Sequence, residues 1–281
     1  MIKIRRAVKA PFAALALTLP LLAAAEGFEC LLEPWQVVEV RAPVDGMIAS
    51  IAAQRGDAVR QGQPLVQLQS GVEQATLEVA RYRAGMEAQV ATARNRLEYA
   101  NRKLARLVQM EKENFMSAQA RDEADAERRL AESELQAATE SREMARLELV
   151  RTQEALSLRT LVAPFNGVVV DRMLNPGDLA EAGSGRKPVL KVAQIDPIRA
   201  DVPLPAALFG KVRVGSRASV TASVGGRRFE ARVSQVDPVI DAASSTFVAR
   251  LEVRNPQGAV PAGSRCTAGI EGLSLPSRPR P

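Results

Sequence analysis

Two stretches of this chain repeat one another across more than 90 intervening residues, so one folded unit has to be assembled from two distant pieces. The first reads APVDGMIASIAAQRGDAVRQGQPLVQL, from Ala42 to Leu68; the second reads APFNGVVVDRMLNPGDLAEAGSGRKPVLKV, from Ala163 to Val192. Each sets Asp-Gly or Asn-Gly just after Ala-Pro, at Asp45-Gly46 and Asn166-Gly167, and Gly-Asp further on, at Gly56-Asp57 and Gly177-Asp178. Asp-Gly and Asn-Gly supply the positive φ of two-residue hairpin turns, and Gly-Asp marks the next reversal. Met47-Ile48 and Val168-Val169-Val170 between them have the apolar character of buried strands. About 30 residues cannot bury a core alone, so the copies are expected to pack as pseudo-symmetric halves of one interrupted β domain. Asp57 and Asp178 could be read as paired carboxylates, but a Gly-Asp in both copies favours turn geometry.

The interruption reads as helix. From Gly71 to Leu158 there is no Pro, and Gly85 is the only interior Gly. A heptad seam runs Met86, Val90, Ala93, Leu97, Ala100, Leu104, Leu107, and a return seam runs Ala131, Leu135, Ala138, Ala145, Leu149, Thr152, Leu156, broken by Arg142. The pattern lapses between Asn114 and Ser117, where Phe115 and Met116 have an exposed character and Ser117 can cap a returning helix. Two arms of about 40 residues, each about 60 Å long at the helical rise, make a spacer that carries its tip over a distance. An aromatic content of only 4% fits such a narrow seam of small and aliphatic residues.

Beyond Val192 the period becomes that of short strands: Ile198–Val202, Arg217–Ala222, Phe229–Val236, Phe247–Val253 and Arg265–Ile270, with a short helix at Ala206–Phe209. Strands of this number and size predict a small closed or nearly closed barrel.

At the other end, Lys3, Arg5, Arg6 and Lys9 precede an apolar stretch from Pro11 to Leu22 and the small residues Ala23-Ala24-Ala25. This reads as a cleaved export signal over 1–25, the alternative being an uncleaved anchor. Its four cations account for most of the formal charge of +6, so the remaining chain offers no concentrated basic footprint for nucleic acid. His is absent, which removes the commonest general base and metal ligand; no nucleotide loop or nucleophile-base pair stands out, and the expectation is a non-enzyme without cofactor or metal. In an oxidising compartment Cys30 and Cys266 read as one disulfide joining the two ends, the alternative being separate thiols. A lipid-anchored Cys30 is disfavoured by the Gly27-Phe28-Glu29 lead-in.

The split repeat resembles the biotinyl/lipoyl-like domain of membrane fusion proteins, the periplasmic adaptors of efflux and type I secretion systems. The segments GSRASV, QVDPVID and NPQGAVPAG resemble the β-barrel of the same adaptors. The resemblance implies an elongated α+β fold: a split lipoyl-like β domain (36–70 and 160–194), an inserted antiparallel coiled-coil α-hairpin (71–159), a small β-barrel (195–272) and a tail (273–281). In lipoyl and biotinyl carriers a modified Lys sits between the halves, whereas no Lys lies between Val37 and Leu68 here, which speaks against a carrier subunit. Adaptors that dock onto an outer-membrane channel share an Arg, an apolar residue four on and a Ser seven further; Arg106, Met110 and Ser117 fall at those spacings, with Met where Leu is usual. The resemblance implies docking through these three residues onto a TolC-like outer-membrane channel, an inner-membrane transporter of the RND or ABC type, and a hexameric ring in the periplasm. The plainer reading makes Arg106 a solvated surface arginine and Ser117 only a cap, and a coiled-coil envelope scaffold without a conduit is the rival function. Many pump adaptors continue into a membrane-proximal domain, for which the sequence after Gly272 holds no residues, leaving the transporter class open.

Overall fold

The structure, a computed structural model, describes residues 27–183 and 185–273. The candidate signal at 1–25 and the tail after Leu273 lie outside the described residues. The elements in chain order are β1 (Phe28–Val40), β2 (Gly46–Ile51), β3 (Ala58–Val59), β4 (Pro64–Leu68), α1 (Gly71–Ala84), α2 (Ala88–Lys112), α3 (Ala118–Ser157), β5 (Thr160–Val162), β6 (Gly167–Arg172), β7 (Leu179–Ala180), β8 (Leu190–Pro205), β9 (Arg217–Ala222), β10 (Arg228–Val236), β11 (Thr246–Val253) and β12 (Arg265–Ile270). Short 3-10 turns occupy Ala206–Leu208 and Pro256–Gly258. Two compact units result, with boundaries inside β1, after Glu33, and inside β8, after Ile198.

In the hairpin-bearing unit the two repeats complete each other. β3 of the first copy pairs with β6 of the second (Ala58↔Val168), and β7 of the second pairs with β2 of the first (Met47↔Leu179). Gly56 donates its N–H to Val169 O and Gly177 to Ile48 O, both at 2.8 Å, through matched positions of the two copies. Asp57 and Asp178 do the same local work in each: their carboxylates accept from the backbone N–H of Gln54 (2.7 Å) and Asn175 (2.8 Å). Both glycines adopt positive φ, +96° and +91°, so these are turns and not a carboxylate pair. The shared core holds Ile48, Leu65, Leu68, Val169, Val189 and Val192, each almost wholly buried.

The helices leave this core after β4 and return before β5. Arg159, just past α3, donates to Asp45 O at 2.8 Å and pairs with Glu73 in the first turn of α1 at 2.5 Å. One side chain thus ties both helix roots to the first turn of the β domain.

The first arm departs from the continuous helix expected on the sequence. It breaks at Gly85–Glu87, and Met86, expected in the seam, stands 45% exposed. The cause is phase. α1 buries Leu77 and Ala80 against α3, a pattern whose next positions are Ala84 and 91, whereas α2 buries Val90, Ala93 and Ala100. One residue of phase has to be shed, and Gly85, the poorest helix former in the arm, is where it goes. Opposite the break on α3 lies Arg142, the residue that interrupted the return seam. It is half-buried at its heptad position and ion-paired with Glu87 in the break. Further along, Arg96–Glu134 and Lys103–Glu127, both 2.6 Å, bridge the arms. The hydrogen bond to Glu127 raises the pKa of Lys103.

In the other unit, β1-β12-β9-β10-β11-β8 are neighbours in that order, and β1 also pairs with β8, which closes a six-stranded barrel. Its sixth strand, the start of β1, comes from a segment that the sequence reading left unassigned. Phe247, Leu204, Leu251 and Val220 fill the interior.

A Cβ at Gly167 would lie 2.3 Å from Ala193 O, a backbone atom that cannot move aside. Gly167→Ala is therefore expected to lower the urea-unfolding free energy by about 3 kcal/mol. Gly85 has α-helical φ and ψ, and a Cβ there comes no closer than 3.5 Å to any atom, so Gly85→Ala is expected to raise the unfolding free energy by about 0.5 kcal/mol.

Candidate functional site at the hairpin tip

The tip is built by a helix stop and a helix start placed back to back. α2 ends on Lys112, and Asn114 takes the left-handed conformation with φ 61°. Asn114 N–H donates to Glu111 O and Phe115 N–H to Met110 O, both 2.9 Å, the paired bonds of a Schellman closure. Asn is the residue best suited to that position after Gly, and this was a usable sequence signal. Ser117 then caps α3, its Oγ accepting from Ala120 N–H at 3.4 Å. The turn falls at Asn114–Ser117, where the lapse in the apolar pattern located it.

The three residues singled out on the sequence all lie at this tip. Arg106 and Met110 sit one turn apart near the end of α2, and Ser117 opens α3. Arg106 is exposed and makes no side-chain hydrogen bond or ion pair among the described residues, whereas Arg121, across the turn, is engaged by Glu111 at 3.6 Å and Asp122 at 3.1 Å. Met110 is 42% exposed and Phe115 72%, so the closure holds apolar side chains in water. The tip therefore presents a free guanidinium, two apolar side chains and a rigid backbone turn. Among the described residues no group of three or more His, Cys, Asp or Glu is placed to hold a metal, and no helix is long and apolar enough to cross a membrane.

Cys30 and Cys266 lie directly opposite one another in the β1–β12 register and are disulfide-bonded, both nearly buried in the barrel unit. The bond closes a loop that contains the entire hairpin-bearing unit.

Residues 36–193 match the family model described as CzcB-like, barrel-sandwich hybrid domain, and residues 198–272 match CusB-like, beta-barrel domain. The chain belongs to the membrane fusion protein family. It is 25% identical over 210 residues to the pyoverdine export membrane fusion protein PvdR of Pseudomonas putida, covering 74% of this chain and 54% of the relative. To the cobalt-zinc-cadmium resistance protein CzcB of Cupriavidus metallidurans it is 23% identical over 231 residues, covering 82% and 41%. The chain thus spans about half the length of the curated relatives it matches. Among solved structures, MacA from Actinobacillus actinomycetemcomitans superposes with a TM-score of 0.71 at 21% identity, covering 87% of this adaptor chain and 77% of MacA, which shows a shared fold.

Replacing Ser117 by Ala removes the cap, and amide exchange over residues 118–120 is expected to quicken with a loss of about 1 kcal/mol, restored by Ser117→Asp. Replacing both Cys30 and Cys266 by Ser is expected to lower barrel stability by about 4 kcal/mol in thermal or urea unfolding, because the cross-link closes so long a loop.

Proposed function

We propose that the chain is the periplasmic adaptor of an export assembly, its hairpin tip docking on a TolC-like outer-membrane channel and its β domains working toward an inner-membrane transporter of the RND or ABC type. Several copies, six by family resemblance, enclose the conduit. The work is mechanical: sealing a passage and passing on conformational change, without making or breaking bonds.

The observation that carries this reading is Arg106. It is an exposed guanidinium with no ion pair among the described residues, on a helix where Arg96, Arg102 and Lys103 are paired with carboxylates and Arg94 and Lys112 are not, one turn before a tip that holds Met110 and Phe115 in water. A planar, always-charged fork of donors beside an apolar contact is what an interface anchor requires. The long paired arms support the reading too, since they set that anchor far from the β core. The export and resistance roles in the names of PvdR and CzcB belong to those proteins, and the cargo here is left to experiment.

Capture of the purified channel by this chain is the test. Arg106→Asp is expected to weaken capture by about 30-fold or more, as reversal of a buried interface charge does. Equal capture by wild type and variant would remove the tip from the docking reading.

A further inference from the structure

The barrel exposes large apolar side chains mainly at one end. Phe209 and Val214 lie on the connection 206–216 between β8 and β9; Val239 and Ile240 lie on the connection 237–245 between β10 and β11. Val214 is 66% exposed and Val239 75%. The two connections are tied together, since Ala206 N–H donates to Ser245 O at 2.9 Å. The Phe209 ring stands edge-on to buried Phe247, centroids 5.3 Å apart, which props the first connection.

Strand register brings the chain ends to the same place. Ile270 lies opposite Ala218, near the start of β9, so Glu271–Leu273 leave the barrel at this end. Phe28 lies opposite Ala268 and β1 runs from there toward the other end, so the chain also enters from here.

The charges around the patch are mixed but unequally committed. Lys211 and Arg213 precede Val214 and are exposed, with no ion pair among the described residues. Asp241 is occupied by the N–H groups of Ala243 (2.8 Å) and Ser244 (3.3 Å), and Asp237 by Gln235 Nε2 at 3.0 Å. Glu271 and Arg217 lie at the same end and offset each other in charge.

We propose that this end of the barrel rests on a phospholipid surface, with Val214, Val239 and Ile240 entering the headgroup boundary and Lys211 and Arg213 meeting lipid phosphates. Single aliphatic side chains raised on separate tight connections, with cations between them, match shallow insertion into an interface.

The test uses the full chain with Val239→Cys labelled by an environment-sensitive fluorophore, the native cysteines being bonded to each other. Vesicles of mixed phosphatidylcholine and phosphatidylglycerol are expected to shift its emission to the blue. The same label at Val224→Cys, exposed in the β9–β10 turn at the opposite end, is expected to stay unchanged. Adding Val214→Glu should weaken vesicle partition of the Val239 label by about tenfold, the cost of withdrawing one valine from the interface. No shift at 239, an equal shift at 224, or a shift that needs a transporter reconstituted in the vesicles would overturn the proposal, the last in favour of a protein contact. The outcome is independent of channel capture through Arg106, so the two readings can fail separately.

Discussion

The amides of Gly56 and Gly177 reach across to the carbonyls of Val169 and Ile48, and the hairpin-bearing unit is organised by that reciprocal exchange. Each repeat lends the other a two-residue strand, β3 or β7, too short to persist alone but sufficient to finish a partner's sheet. Neither half can bury its apolar face without the other. Residues more than 90 positions apart must therefore meet before either is stable, and whatever lies between must leave and return at nearly the same point. A pair of antiparallel helices does this at the least cost in loop entropy, because its two ends are adjacent by construction. Arg159 makes that adjacency specific by joining Asp45, Glu73 and the end of α3.

The hairpin itself is a compromise between two helical phases. α3 keeps one register for its whole length, with Ala124, Ala131 and Thr152 buried along a single line. α1 and α2 meet that line in different phases, and the glycine break reconciles them. Arg142 and Glu87 then occupy a place where apolar residues from both arms would not meet. An ion pair as exposed as this one contributes little net stability but disfavours sliding of one arm along the other. Ion pairs across the arms near Arg96 and Lys103 act in the same sense, each weak in water and consistent in register.

Function in such a molecule resides at surfaces distant from the core. The tip is tied by the bonds from Asn114 N–H to Glu111 O and from Phe115 N–H to Met110 O, so Met110 and Phe115 are exposed on a closed turn. A preorganised tip of this kind loses little freedom when it docks, and small contacts then suffice. Asp57 and Asp178 are each engaged by a backbone N–H of their own turn.

The repeats, the turn at Asn114–Ser117, the two heptad seams and five of the six barrel strands were legible in the residues, because turn chemistry and side-chain period are short-range properties. What escaped were pairings. The start of β1 reads as a strand of no particular domain until Cys30 faces Cys266 and it becomes a barrel stave. Gly85 and Arg142 read as two unrelated flaws, although they face each other across the hairpin. The tip residues were found by spacing, while Arg106's freedom from any partner and Asn114's closure of α2 came only with coordinates. The sequence by itself determined most of which segments are strand, helix and turn, since those depend on neighbours within a few residues, although Gly46 and Gly167 open strands without the positive φ expected of them. Only the tertiary structure decided which strand completes which sheet, where the first arm breaks and which charges are left unpaired, because each of these depends on a partner far along the chain whose phase and distance no local pattern encodes.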